Sequence, residues 1–293
     1  MEHSLKSLVA GIPSLGSYSA VLEELETVLN DPLSTLATMG ETIEKDPDLT
    51  ARLLKLGNSS FYGFSSRLET VTEAISLIGV QQVQDLILAS NVVEIFDGVS
   101  PEQVSMESFW RHSLACGVAA RLLAIERRAL KPEKYFVAGL LHDVGRLVIY
   151  MRAPDAARRI FDLYGLKRMT LREAETNVLG FDHEQIAGAL LRAWAYPPNL
   201  INAVGNHHHP MAVGVFQMEA SLVHLADYIV HAMQIGSSGE KFVPALDMRV
   251  WKRLELSPDF LESLIGAVDE QLEAAESAFL KPIARAPENE SKF

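Results

Sequence analysis

Apolar positions recur along this chain at intervals of three and four residues, the spacing of one face of an α-helix, and no stretch alternates as a strand would. Ser19 to Leu29 reads as an amphipathic helix stopped by Asn30-Asp31-Pro32. Ser34 precedes a short helix with Leu36, Met39 and Ile43 inward, ending near Asp46-Pro47. Asp48 is placed to cap a third, whose Leu49, Leu53, Leu54 and Leu56 face inward before Gly57-Asn58-Ser59 breaks it. Thr72 to Ile78 and Gln81 to Phe96 form two more, separated by Gly79. Asp97-Gly98-Val99-Ser100-Pro101 has the composition of a subdomain boundary. Helices then run from about Glu107 to Ile125, from Pro132-Glu133 onward, and from Asp182, where Asp182 and Gln185 have capping-box spacing. Asn199 to Val204 and Leu222 to Val230 are helical too, and Ser257 to about Phe279 presents Leu261, Leu264, Ile265 and Val268 on one face. The pattern predicts an all-α fold with an N-terminal helical subdomain over 1–100, a second helical subdomain over 101–280, and a polar, mobile tail over 281–293.

Composition narrows the setting. The 293 residues are 48% hydrophobic, enough for a large core, and no run of about eighteen apolar residues proposes a membrane span. A net charge of -12 disfavours nucleic acid and anionic lipid as partners. The single cysteine, Cys116, and an N-terminus without a signal pattern suit a reducing cytoplasm. No receiver, kinase or DNA-binding pattern is visible, so an input is expected from another molecule or through the N-terminal subdomain. That subdomain shows no catalytic constellation. Its Phe61-Tyr62-Gly63-Phe64 turn suits a hydrophobic plug better than a stacking site for a ligand.

The chemistry lies in polar residues set among apolar ones. His112 shares a helix face with Cys116, Ala119 and Leu123. His142-Asp143 comes after the apolar run ending in Leu140-Leu141, near the C-terminus of a helix, where a carboxylate needs a cation or a donor. His183 aligns with Ile186, Ala187, Leu190 and Leu191. His207-His208-His209 closes a helix, and turns of about 100° per residue let two of the three reach one centre. Asp227 sits mid-helix among apolar residues, with His224 and His231 one turn away on either side as candidate partners. Each has an ordinary explanation alone. Together they describe either a shared metal centre with nitrogen and oxygen ligands and no cysteine, or a buried His/Asp hydrogen-bond network.

The series His112, His142-Asp143 and Asp227 resembles the metal-binding signature of the HD phosphohydrolase superfamily. Ile43 to Leu49, Leu53 to Ser59, Phe61-Tyr62-Gly63, Ala74 to Gly79, Phe109 to Ser113 and Gly139 to Leu147 resemble the HDOD domain, the HD-related output domain of bacterial signalling proteins. The likeness spans roughly residues 10 to 275 and implies a helical subdomain packed on an HD-like bundle. Carried across from the related HD-GYP phosphodiesterases, it implies one ion on His112, His142, Asp143 and Asp227. A second would sit on His183, His207 and His208, with Asp143 bridging. The cofactor is then one or two divalent ions, iron or manganese first, with zinc and nickel as alternatives. Two features depart from those enzymes. Arg146 stands where they have lysine, and His209-Pro210 succeeds the double histidine in place of an acid and a Gly-Tyr-Pro motif.

The resemblance implies a regulatory output protein acting on a signalling partner. The alternative is a metal-dependent phosphohydrolase for a nucleotide or cyclic dinucleotide, with Asp143 and Arg146 as candidate catalytic residues.

Overall fold

The computed structural model describes residues 4–13, 20–96, 99, 101–166 and 169–280. The polar tail and residues 97, 98 and 100 of the expected boundary lie outside the described residues. Among the described residues there is no strand, and the chain is all-α.

The first helices are α1 (Leu5–Val9), α2 (Ala20–Asn30), α3 (Leu36–Glu44), α4 (Pro47–Gly57), α5 (Val71–Ile78) and α6 (Val80–Ile95). They begin where local chemistry satisfies free backbone N–H groups. Thr70 and Glu73 form a reciprocal capping box on α5. Asp46, not Asp48, caps α4 by accepting from the backbone N–H groups of Asp48 and Leu49, with Pro47 as the first helical residue. Ile43, Leu53, Leu56, Val71, Ile75, Val83 and Leu86 make the core of this region.

The remaining helices are α7 (Met106–Glu126), α8 (Glu133–Leu141), α9 (Val144–Arg152), α10 (Pro154–Leu166), α11 (Leu171–Leu179), α12 (His183–Ala193), α13 (Pro198–Val204), α14 (Gln217–Ala232), α15 (Met248–Leu254) and α16 (Pro258–Phe279). Helix α7 is buried nearly all round, as a central helix must be, and packs against α8, α14 and α16. Helix α6 packs on α8 and α4 on α16, so the N-terminal helices join the same core. Phe61 plugs this junction. Its ring meets Phe136 edge-on at 5.1 Å, and the buried Arg121 guanidinium lies 4.1 Å from its centroid. On α16 the buried stripe is Leu264, Val268, Leu272 and Ala275, whereas Ile265 is exposed, so the expected face is rotated.

At two places helices meet backbone against backbone. A Cβ on Gly139 of α8 would stand 2.5 Å from the Cys116 carbonyl oxygen and 2.7 Å from Gly117 Cα, so α7 and α8 cross with no side chain between them. A Cβ on Gly145 of α9 would stand 2.1 Å from the carbonyl oxygen of His183, which locks α9 to the start of α12.

Candidate metal centre

Helix α8 ends at Leu141 and α9 begins at Val144, so His142 and Asp143 form a two-residue kink between helices. Asp143 therefore stands at the positive end of α9 as well as at the end of α8, which answers the dipole objection. The Gly139 crossing brings His142 beside His112 of α7, with ring centroids 5.4 Å apart. The Gly145 contact brings Asp143 to His183, whose Nε2 lies 3.2 Å from Asp143 Oδ1. His207 and His208, in the turn after α13, close one side, and their rings lie 5.3 and 5.2 Å from that of His183. Asp227 of α14 closes the other, 3.3 Å from His112 Nε2 and 3.5 Å from His142 Nε2. The seven residues expected from sequence thus converge. His112, His142, Asp143, His183, His207 and Asp227 are each at most 2% exposed. His209 turns outward and accepts a hydrogen bond from Arg172 Nη2.

The tautomers are set from outside. His112, His142 and His207 direct Nδ1 at the backbone carbonyls of Ile235, Gly139 and Val204, at 3.3, 2.6 and 2.8 Å. A carbonyl only accepts, so each Nδ1 carries the proton and each Nε2 presents a lone pair inward. His183 Nδ1 lies 2.6 Å from the Glu175 carboxylate, with the same consequence. Acceptors then face acceptors: His183 Nε2 is 3.4 Å from His207 Nε2, and His142 Nε2 is 3.2 Å from Asp143 Oδ2. His142 Nε2, His208 Nε2 and Asp143 Oδ1 are buried with no hydrogen bond. Orphaned inward lone pairs on oriented imidazoles are what a cation satisfies, and this centre can hold a metal.

Without a cation, protons must do that work. Burial pushes the His142 imidazole down, but the Asp143 and Asp227 carboxylates outweigh it and take it up to about 10. Burial drives His207 and His208 well below the ordinary histidine range, with neighbouring imidazoles adding to it. Asp143 and Asp227 are raised by burial yet end well below the usual carboxylate range. Arg146 and His142 act on Asp143, and His231 and His112 on Asp227.

Four groups outside the expected seven complete the centre. Glu175 binds both the ring and the backbone N–H of His183. Glu184 accepts from the backbone N–H of His208 at 2.7 Å. His231, rather than His224, pairs with Asp227, its Nδ1 lying 2.8 Å from Oδ1, while His224 bonds the His207 carbonyl and the Asp247 N–H. Cys116 is the fourth, with Sγ 3.6 Å from His112 Nε2, so the expectation of a set without cysteine gives way. Arg146 donates through Nη1 to Asp143 Oδ2 and Ser238 Oγ at 2.8 and 2.5 Å and through Nε to Glu175 Oε1 at 3.0 Å. A cavity of about 260 Å³ opens at the edge of the centre, lined by Arg146, Arg172, His208, Asp227, His231 and Glu240 among others.

A family model described as the HDOD domain matches residues 15–210. The chain belongs to the HDOD family. A solved HDOD domain protein of unknown function from Geobacter sulfurreducens shares the fold, with a TM-score of 0.75 at 23% identity over 94% of this chain and 97% of that one. A Shewanella amazonensis protein proposed to be a phosphohydrolase gives a TM-score of 0.71 at 23% identity, covering 92% and 97% of the two chains. A Marinobacter aquaeolei protein proposed to act in signal transduction gives 0.69 at 20%, covering 95% and 62%. An uncharacterised Treponema pallidum protein is 25% identical over 208 residues, 70% of this HDOD chain, which matches only 39% of that protein's length. No helix among the described residues is long and apolar enough to cross a membrane.

Proposed function

We propose that this HDOD protein is a regulatory output module. In this reading the metal centre organises the bundle and conveys its state to a signalling partner. The observation that carries the reading is how deeply the centre is buried and how its one inner cation is tied to its own residues. Six of its seven donor residues are at most 2% exposed, and Nε and Nη1 of Arg146 are taken by Asp143, Glu175 and Ser238. A guanidinium held in this way has only Nη2 left for a substrate phosphate and cannot offer the two-pronged grip.

Two ions would be held by one group containing His112, His142 and Asp227 and another containing His183, His207 and His208; Asp143 lies between the groups, near His142 and His183. Iron and manganese, then zinc and nickel, are the ions to test first.

The edge cavity supports a second reading, hydrolysis of a nucleotide or cyclic dinucleotide. Arg172 and His208 line it beside Asp227. There a bound divalent ion would supply Lewis acidity toward a phosphoryl oxygen. In that case Asp143 would hold the ions apart and Arg146 would fix its orientation.

Protein purified without chelator and analysed for metal should carry one or two ions per chain. Incubated with cyclic dinucleotides, nucleotides and a nitrophenyl phosphodiester, it should release no product above a chelated control. Metal-dependent turnover would overturn the regulatory reading in favour of the hydrolase.

A further inference from the structure

The first group of donors contains a residue that the HD signature does not include. Cys116 lies one turn after His112 on α7, a spacing that puts both side chains on one face. Its sulfur is 3.6 Å from His112 Nε2. Cys116 Sγ, His112 Nε2, His142 Nε2 and an Asp227 carboxylate oxygen all lie within 4.8 Å of one another, and all four residues are buried.

The distances have a simple geometric reading. Bond lengths of roughly 2.3 Å to sulfur and 2.0–2.1 Å to nitrogen or oxygen, at tetrahedral angles, separate neighbouring ligand atoms by roughly 3.3–3.6 Å. The sulfur to His112 distance is 3.6 Å, His112 to Asp227 is 3.3 Å and His142 to Asp227 is 3.5 Å. The lone pairs point the right way too. Nδ1 of His112 and of His142 is held by a backbone carbonyl, His142 Nε2 is buried without a hydrogen bond, and Asp227 Oδ1 is oriented from behind by His231 Nδ1 at 2.8 Å.

We infer that Cys116 is a thiolate ligand of the first ion, completing a Cys/His/His/Asp tetrahedron. The inference rests on the metal-holding reading of the centre and refines it in two ways. Four protein ligands leave no open position, which is the mark of a structural ion rather than a catalytic one. A soft thiolate also moves this position away from manganese toward zinc or iron. The second group has three imidazoles, with Asp143 Oδ1 3.2 Å from His183 Nε2, and keeps the harder donor set. The two ions are therefore chemically unequal, and redox chemistry at sulfur is confined to the first.

Cobalt(II) gives the test, because a thiolate ligand produces an intense near-ultraviolet charge-transfer band. Cys116 is the only cysteine, so a band in wild-type protein prepared without added thiols assigns itself. Stripped protein titrated with cobalt should develop this band within the first equivalents, alongside visible ligand-field bands. Cys116→Ser should lose the charge-transfer band and keep visible bands. X-ray absorption on zinc-loaded wild type, which needs no variant, should find sulfur at about 2.3 Å. Cobalt binding with visible bands but no charge-transfer band, or a zinc shell of nitrogen and oxygen alone, would overturn the thiolate while leaving the metal centre standing. Failure to bind cobalt or zinc at all would overturn both.

Discussion

The helices before residue 97 and those after residue 101 are built to different rules. In the first region the buried polar residues are the uncharged Thr42, Ser90 and Asn91. In the second, buried His, Asp, Glu and Arg residues surround one point, from His112 on α7 to Glu240 beyond α14. The first region is stabilised by apolar surface leaving water, and among its described residues no charged side chain is fully buried, although partial burial takes Asp85 up to about 6. The second holds groups whose burial destabilises the fold unless each finds a partner, so its partners must be complete. A core of the first kind tolerates imprecision, whereas one of the second kind fails when a single member is lost.

The largest break in that contrast should come from Asp143→Ala. It removes the group between the two donor sets and leaves Arg146 short of a buried counter-charge. A loss of about 3–5 kcal/mol in chemical denaturation is expected, with the second ion lost from the protein. Wild-type stoichiometry in this variant would remove Asp143 from the ligand set. Leu53→Ala supplies the counterpart in the first region. Leu53 is buried in the N-terminal core, so truncation should destabilise by about 2–5 kcal/mol, yet bound metal per folded chain should stay at the wild-type value. If metal is lost as well, the regions are not separable in the way their buried residues suggest.

Gly145→Ala should cost about 3 kcal/mol, the top of the usual overpacking range, because a Cβ there meets only backbone and must force α9 and α12 apart. Its effect should fall on the second donor set, since it displaces Asp143 from His183. Metal analysis should show the second ion lost before the first. Equal loss of both would mean that the two sets do not load independently.

The gentlest effect is a slope in pH, seen only in chelated protein. His142 is raised to about 10 by Asp143 and Asp227 against burial, so folding favours its charged form. That stability is fully present below the ordinary value of 6.5 and is lost as pH rises toward about 10. His207 and His208 are lowered and act oppositely, withdrawing stability as pH falls below 6.5. Thermal melts of chelated protein should therefore decline on both sides of neutrality. Metal loading should flatten the alkaline arm, because the cation takes the place of the His142 proton. An alkaline arm unchanged by metal would assign it to groups outside the centre.

Helix content and the main donor set are legible in the sequence because periodicity and polar intrusions are local signals. Asp182 with Gln185 marks the start of α12, and His112, His183 and Asp227 stand out against apolar faces. What escapes is set by tertiary partners. Glu175 sits on an ordinary amphipathic helix and reads as a solvated acid; only the turn at Gly180 folds it back onto His183. Cys116 looks like core because a thiol on an apolar stripe carries no polar contrast. Periodicity does not delineate α9 to α11, so the sequence sets Asp143 against the dipole of α8 alone. Subdomain limits rest on composition around residues 97–101, and a boundary there remains a proposal.

The contact at Gly145 has a mechanical consequence. Where side chains meet, a push is absorbed by rotamers; where backbone rests on backbone, there is no soft joint to take it up. Helices α9 and α12 are therefore coupled, and a displacement of α12, which exposes Gln185 and Arg192, would be passed to the buried α9. Seen this way, the missing side chain at Gly145 is a rigid coupling, through which a displacement at the surface reaches Asp143 and His183 undiminished.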